Sequence, residues 1–235
     1  MKLSVIGKLH ASYIAFIIFI VILFNYYTRI IPDGKLQAQQ IMRGPDVFGS
    51  VGVRINRSPY SSKWKHAAQK GSGAVWDKIV AGVRSRPSID GKLQAVQYYV
   101  NRSAVWGSDI DVWKAEDYWA APNETLRLKS GDCEDFAILK MMLLSAAGIS
   151  LDNMYLTVGY DTVLKQGHAV LVVRDNGSLW ILDERTDAVI RDENFHYFNP
   201  VLSMNFGRNW VHGYRIAGVW FAPTDRKNLL GTISF

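Results

Sequence analysis

Residues 130–148 read SGDCEDFAILKMMLLSAAG. The apolar residues of this stretch recur at helical spacing from Cys133 onward, and Gly148 is suited to end the helix. Asp132 lies where a helix N-cap belongs, so Cys133 is predicted to be the first residue of a long apolar helix. A thiol there lies beside the positive end of the helix dipole and unpaired backbone N–H groups, which favour the thiolate and can hold an oxyanion. The stretch therefore predicts a helix that begins on a candidate nucleophile.

The sequence before this helix predicts one strand and then mainly helices. Alternation of apolar and more polar residues predicts the strand within residues 47–55. Helical periodicity then predicts three helices, at residues 61–68, 75–83 and 90–104. Residues 106–127 combine aromatic and acidic side chains and are predicted to form an ordered loop, in which Pro122 interrupts any helix.

The sequence after this helix is dominated by predicted strands. Four are expected, at residues 154–160, 168–174, 179–185 and 213–221. Residues 207–214 are expected to form a loop, to which the sequence assigns no function. Several of the strands carry apolar residues on both faces, which is typical of a sheet covered by helices. Helices followed by an antiparallel sheet predict an α+β fold.

A proton acceptor for the thiol is predicted from the hairpin in the second half. The turn at residues 175–178, DNGS, is a strong hairpin signal, and the register counted back from it pairs His168 with Arg185 and Val170 with Asp183. His168 and Asp183 are then diagonal neighbours on one face of the sheet, within reach of an imidazole–carboxylate hydrogen bond. Taken singly, each residue also has a structural interpretation: His168 as a core histidine whose ring nitrogens are hydrogen-bonded, and Asp183 as the residue that ends a strand.

Composition excludes several classes of protein. Hydrophobic residues make up 49% of the 235 residues, charged residues 20%, and there are only 7 prolines, which indicates a folded globular chain. The net charge is +6, but four Lys or Arg and one Asp among the first 38 residues account for +3 of it. The remaining residues show neither a basic run interleaved with aromatic residues nor zinc-finger spacing, so no nucleic-acid partner is expected.

The first 38 residues are predicted to be a signal peptide or an uncleaved signal anchor. Lys2 and Lys8 precede a long apolar stretch, as in an export signal, and Ala38 is the nearest small residue at a plausible cleavage point. Both alternatives place residues 39–235, as one domain, outside the cytoplasm, with an anchored form on the inner membrane. A lone Cys133 in an oxidising compartment has no internal disulfide partner, so it is either a buried small hydrophobe or a used thiol.

Three motifs carry a resemblance to a known family. Residues 117–126 read DYWAAPNETL, residues 131–138 read GDCEDFAI and residues 167–171 read GHAVL. Together they resemble the bacterial transglutaminase-like cysteine proteinases, and among these the LapG-type periplasmic proteases, which release a giant biofilm adhesin from the outer membrane. The resemblance runs over residues 47–221 and implies a papain-like, transglutaminase-like fold.

The resemblance also implies roles for individual residues and for partners. Cys133 would be the nucleophile, His168 the general base and acid, and Asp183 the residue that holds the imidazole. The substrate would be a large surface adhesin, cut near its N-terminus. Family members are inhibited by an inner-membrane receptor that senses cyclic di-GMP and exposes a periplasmic domain.

The family is also calcium-dependent, which implies that the carboxylates beside the nucleophile, Asp132, Glu134 and Asp135, bind Ca²⁺. Such carboxylates oppose a thiolate, and a bound Ca²⁺ would cancel their charge. The alternative is a capping box formed by Asp132 and Asp135 in an acidic first turn. Because Ca²⁺ takes 6 to 8 oxygens, backbone carbonyls, water or Asn176 would have to complete its shell.

Two other functions remain open from the sequence. The same fold and triad serve transglutaminases and amidases, and the spacing of the residues does not separate acyl transfer to water from transfer to an amine. The domain is alternatively a membrane-anchored binding module without catalysis, although each member of the triad is present.

Overall fold

The computed structural model describes residues 44–216 and 219–221. The chain separates into two units between Met42 and Arg43, and the second unit contains all of these residues. The predicted leader, residues 1–38, lies outside them. Within the described ranges, none of the helices has the length and apolar character needed to cross a membrane.

The described residues contain six α-helices. Their bounds are α1 Ser61–Ala67, α2 Ala74–Arg84, α3 Ile89–Ser103, α4 Asp109–Val112, α5 Pro122–Leu128 and α6 Cys133–Ala146. Every residue of α6 from Cys133 to Leu144 is buried, so this helix is surrounded by protein rather than lying on the surface. The predicted helix that begins on Cys133 is confirmed.

The strands form one large antiparallel sheet and one short parallel pair. Their bounds are β1 Val51–Ile55, β2 Val105–Trp106, β3 Ser130–Gly131, β4 Met154–Asp161, β5 Gln166–Asp175, β6 Ser178–Leu182, β7 Ile190–Arg191, β8 Phe198–Asn205, β9 Arg208–Ile216 and β10 Val219–Phe221. The order in the sheet is β1-β9-β8-β4-β5-β6-β7, with β10 also paired to β9, while β2 pairs with β3. The predicted α+β class is confirmed.

Alternation along the central strands gives the sheet two buried faces. On β5, Ala169, Leu171 and Val173 pack in the core that contains α6, while Val170 and Val172 pack in a second cluster with Phe195 and Phe198. Full burial of each such side chain contributes about 1.5–3 kcal/mol relative to exposure. The covering of both faces explains why these strands have apolar residues at nearly every position.

Pro122 begins a helix instead of interrupting one, so the prediction of a continuous loop over residues 106–127 is wrong. Pro122 is in the first turn of α5, where its missing N–H would have no helical partner in any case. The Glu124 carboxylate accepts a hydrogen bond from the Ala121 backbone N–H at 2.7 Å and closes this end. Within the same segment, α4 and the β2–β3 pair are also ordered secondary structure.

The second correction concerns residues 207–214, which form most of strand β9 and not a loop. Gly207 has φ 82° and belongs to the two-residue turn between β8 and β9, which pairs Asn205 with Arg208. The segment is therefore the second half of a hairpin. Trp210 and His212 on β9 are buried. At the other end of the chain, the first strand begins at Val51, because residues 47–50 form a turn closed by the Ser50 N–H on the Val47 carbonyl.

Candidate active site

Cys133 lies at the start of α6, directly after the short strand β3. Gly131 permits this tight entry, because a Cβ there would lie 2.5 Å from Asp135 Oδ2. The Cys133 thiol is buried and donates a hydrogen bond to Glu134 Oε2 at 3.3 Å. Burial raises the pKa of this thiol well above its usual value, and the charges of Glu134, Asp132 and Glu184 raise it further. In this structure the residue is therefore a thiol held by its neighbour.

His168 and Asp183 form the hydrogen bond that the hairpin register predicts. The ladder between β5 and β6 pairs Leu171 with Leu182, in the predicted register, and ends there. Asp183 follows directly, and its Oδ1 lies 3.1 Å from His168 Nε2. Both residues are almost completely buried. Because a carboxylate only accepts, Nε2 carries the proton in the neutral ring and Nδ1 is left as the basic atom.

The thiol and the imidazole are not hydrogen-bonded to each other in the part of the chain that the structure describes. Glu184 is close to both: its Oε2 lies 3.7 Å from His168 Nε2, and its negative charge raises the pKa of the Cys133 thiol. The same charge raises the pKa of Lys140, a fully buried residue of α6, although burial lowers that pKa by more. Burial raises the pKa of Glu184 to about 9 and lowers that of Lys140 to about 7. Neither Glu184 nor Lys140 lies in a sequence pattern that indicates chemistry.

Three buried carboxylates cluster beside the thiol. One oxygen each of Asp109, Asp132 and Glu134 lies within 4.8 Å of the others, in a grouping that fits a metal ion. Both oxygens of Asp132, Oδ1 of Asp109 and Oε1 of Glu134 are buried without a hydrogen-bond donor. Burial raises the pKa of Asp132 to about 7, and the neighbouring charges of Asp109 and Asp117 add to this rise. Burial without donors disfavours an ionised carboxylate, which is then stabilised either by a proton, as the raised pKa of Asp132 indicates, or by a cation. The cluster fits a hard cation such as Ca²⁺.

The helix-cap alternative for Asp132 is wrong, because its side chain makes no capping hydrogen bond to α6. The Asp135 carboxylate bonds outside the helix, since its Oδ1 accepts a hydrogen bond from the Ala120 N–H at 2.7 Å. Its role as a calcium ligand stays a prediction. Asp109 joins the cluster from α4, 23 residues before Asp132, and only the pairing of β2 with β3 brings it there. The sequence contained no spacing signal for it.

Three features define a class, the cysteine-dependent enzymes of transglutaminase-like fold: a thiol at a helix start, a strand histidine bonded to an aspartate that directly follows the next strand, and helices packed on an antiparallel sheet. A family model described as bacterial transglutaminase-like cysteine proteinase matches residues 68–212. The chain belongs to this family. Its membership supports a cysteine protease and confirms the family that the three motifs indicate.

Solved structures agree with this assignment. Calcium-bound LapG of Legionella pneumophila is 26% identical, with a TM-score of 0.53 over 67% of this chain and 88% of that one. The EGTA-treated form of the same protein, at 23% identity and TM-score 0.53, covers 74% of this chain and 96% of that one and supports the fold.

A sequence relative matches a shorter part of the chain. A UPF0252 protein of Archaeoglobus fulgidus is 32% identical over 80 residues, which span 34% of this chain but only 25% of that protein.

Proposed function

We propose that this chain is a calcium-dependent cysteine endopeptidase with Cys133, His168 and Asp183 as its catalytic triad. The observation that carries the proposal is the buried His168–Asp183 hydrogen bond, 3.1 Å long, in a chain whose single cysteine begins a buried helix. Such a bond fixes the tautomer of the imidazole and stabilises its protonated form. Membership of the cysteine proteinase family supports the same reading.

The reaction follows from the roles of these three groups. His168 Nδ1 takes the thiol proton, and Cys133 Sγ attacks the scissile carbonyl, whose oxyanion faces the backbone N–H groups at the start of α6. His168 then gives the proton to the leaving amine, and the C–N bond breaks to leave a thioester on Cys133. Water, deprotonated by His168, attacks the thioester, the C–S bond breaks to release the carboxylic acid product, and the Cys133 thiolate takes the proton back from His168. Asp183 stays ionised and orients the ring throughout.

The carboxylate cluster explains why a cation would be required. Asp109, Asp132 and Glu134 would hold Ca²⁺, and Asp135 stands beside them as a predicted ligand. Bound Ca²⁺ supplies positive charge that offsets these carboxylates next to the thiol. Glu134, engaged in this way, would no longer be a competing acceptor for the thiol, which is then available to His168. The calcium-bound state of the Legionella pneumophila LapG structure supports this part of the proposal.

The substrate, the inhibitor and the location belong to the same proposal. The substrate is a large surface adhesin cut near its N-terminus, the inhibitor is an inner-membrane cyclic di-GMP receptor with a periplasmic domain, and the chain acts in the periplasm. These proposals rest on the resemblance of the three motifs to the family. They predict that the chain acts on a long protein substrate rather than on a small molecule.

The test is incubation of the purified protein with N-terminal fragments of the organism's own large surface adhesins. Cleavage should occur with Ca²⁺, stop in EGTA and return when Ca²⁺ is restored, and Cys133→Ala should be inactive in every condition. Addition of a primary amine distinguishes the transferase alternative, since amine incorporated at the acyl group would identify acyl transfer. Cleavage by Cys133→Ala equal to that of the unmodified protein would overturn the proposal.

A further inference from the structure

Arg185 is held by the aspartate of the proposed triad through several hydrogen bonds. Arg185 lies two residues after Asp183, beyond the end of β6. Its Nη2 and Nε donate to Asp183 Oδ2 at 2.9 and 3.2 Å, and its backbone N–H donates to Asp183 Oδ1 at 3.0 Å. Two parallel N–H groups on a carboxylate fix both the position and the plane of that carboxylate.

A second buried carboxylate fixes the guanidinium from the other side. Arg185 Nη1 donates to Asp161 Oδ2 at 2.6 Å. Asp161 ends strand β4, is 1% exposed, and its Oδ1 accepts hydrogen bonds from the backbone N–H groups of Val163 and Leu164, both at 2.8 Å. Asp161 therefore cannot rotate without breaking the β4–β5 turn. The guanidinium therefore lies between two carboxylates, Asp161 at the end of β4 and Asp183 directly after β6, and bonds to both.

This arrangement decides which oxygen of Asp183 faces the imidazole. The guanidinium bonds mainly to Oδ2, with a longer contact of 3.3 Å from Nε to Oδ1, and the Arg185 backbone N–H bonds to Oδ1, the oxygen that faces His168 Nε2. Burial alone would raise the pKa of Asp183, but the hydrogen bonds and charges of His168 and Arg185 hold it well below the usual range. Without the guanidinium, Oδ2 would lose its arginine donors and the carboxylate would be held through Oδ1 alone, by the Arg185 backbone N–H and by His168. Glu184 Oε2, 3.7 Å from His168 Nε2, would then be a competing acceptor for the less firmly held ring.

We propose that Arg185 is a positioning residue of the active site, which holds Asp183 so that its Oδ1 orients the His168 imidazole. The inference rests on the proposed function, because it assigns Arg185 a task in that triad. An ordinary surface ion pair would have exposed partners and one contact; here both carboxylates are buried and the guanidinium makes bonds to each.

The test compares Arg185→Met and Arg185→Lys with a matched control, Arg102→Met. Arg102 forms an ion pair with Asp187 in which both side chains are more than half exposed. Arg185→Met should lower kcat on an adhesin fragment by about 10- to 100-fold, since a shift of about 1 Å in a catalytic group can have that effect, with KM changed less than about twofold. Arg185→Lys keeps the positive charge but lacks the parallel N–H donors of the guanidinium, so it should recover only part of the rate. Arg102→Met should behave as the unmodified protein.

A second readout does not depend on cleavage. In protein labelled with ¹⁵N-histidine, the Nε2 proton of His168, assigned through His168→Gln, should resonate far downfield because Asp183 accepts it. Arg185→Met should move or broaden this signal, whereas Arg102→Met should leave it in place. If Arg185→Met does not fold, Asp161→Asn is the second variant, because its amide oxygen still accepts from the turn while its NH₂ repels the guanidinium.

The outcomes separate this inference from the proposed function. If the unmodified protein cleaves no adhesin fragment, the proposed function fails, and the histidine signal alone then decides the role of Arg185. If Arg185→Met retains the kcat of Arg102→Met, or if its His168 signal is unchanged, Arg185 is not a positioning residue. A fall in kcat together with a moved signal supports the proposal.

Discussion

The Cys133 thiol donates its hydrogen bond to Glu134, the residue that follows it in the chain, at a distance of 3.3 Å. The nucleophile candidate therefore has a carboxylate as its partner where catalysis requires an imidazole. Since that carboxylate also belongs to the cluster with Asp109 and Asp132, one residue connects the reactivity of the thiol to cation binding.

Removal of the Glu134 charge should make the calcium-free thiol more reactive. In Glu134→Gln the negative charge that raises the pKa of the Cys133 thiol is absent, so alkylation by iodoacetamide at pH 7 should be several-fold faster than in calcium-free unmodified protein. Ca²⁺ should accelerate alkylation of the unmodified protein and have less effect on the variant. The chain has a single cysteine, so the incorporated label measured by mass spectrometry reports this site alone. Equal alkylation rates for the two calcium-free proteins would refute the coupling.

Asp109 should be a calcium ligand, although it lies far from Cys133 in sequence. Asp109→Asn removes one carboxylate charge from the cluster and should weaken Ca²⁺ binding by at least about tenfold in isothermal titration calorimetry. The melting temperature should then rise less with Ca²⁺, because stabilisation by a ligand follows its affinity. Asp111→Asn is the control, since Asp111 is exposed on the same short helix and accepts a hydrogen bond from the Ser108 hydroxyl. Equal Ca²⁺ affinity in the two variants would exclude Asp109 from the site.

Asp183→Asn should impair turnover far more than folding. The amide keeps the shape of the carboxylate but favours the wrong tautomer of His168, a change that lowers kcat by about 10⁴-fold in a serine protease triad. We expect a loss of at least about 10²-fold, measured on an adhesin fragment. Asp187→Asn, in the same loop but more than half exposed, should have little effect. A variant of Asp183 that is fully active would remove this residue from the triad.

Gln97 should stabilise the loop that carries Asp183. Gln97 Nε2, on helix α3, donates to the main-chain carbonyl of Asp183 at 2.6 Å and also to that of Thr186. Gln97→Leu leaves these carbonyls with fewer donors in a buried site, which should reduce the free energy of unfolding by about 1–3 kcal/mol in urea denaturation. Gln94→Leu, on an exposed face of the same helix, should change it by less than about 0.5 kcal/mol. Equal stabilities of the two variants would show that the bonds to this loop contribute nothing.

His212 should make the fold sensitive to acid. Its Nδ1 lies 2.8 Å from Ser50 Oγ and its Nε2 lies 2.7 Å from Ser203 Oγ, and burial lowers its pKa from 6.5 to about 3. Between these two values the unfolded chain binds a proton that the folded chain excludes, so stability falls as the pH drops from about 6.5 to 3. For one proton the slope is at most about 1.4 kcal/mol per pH unit.

The comparison with His212→Gln isolates this effect, because the other titrating groups are common to both proteins. Urea denaturation between pH 7 and pH 4 should show that the difference in unfolding free energy between them shrinks as the pH falls. A difference that stays constant over this range would mean that His212 does not control the acid sensitivity.

Two parts of this protein follow from local periodicity and turn chemistry alone. The helix that begins on Cys133 follows from an apolar stretch after Asp132, and the His168–Asp183 contact follows from a two-residue turn that sets the register of one hairpin. Both are short-range, since a helix start and a hairpin register need no knowledge of the remaining chain. The same local reasoning was wrong at Pro122 and at residues 207–214, where the element type depends on helix position and on a strand partner.

The partners of these residues depend instead on how separate elements pack. Asp109 reaches Asp132 because β2 pairs with β3, Gln97 reaches Asp183 because α3 packs beside the end of β6, and Asp161 reaches Arg185 across β5. None of these contacts has a characteristic sequence spacing, because each depends on how separate elements pack and not on the period of one element. Burial likewise sets whether a carboxylate beside Cys133 caps a helix or faces a buried cluster. A buried carboxylate has no water as an alternative partner, so its charge must be balanced by the surrounding protein or by a cation.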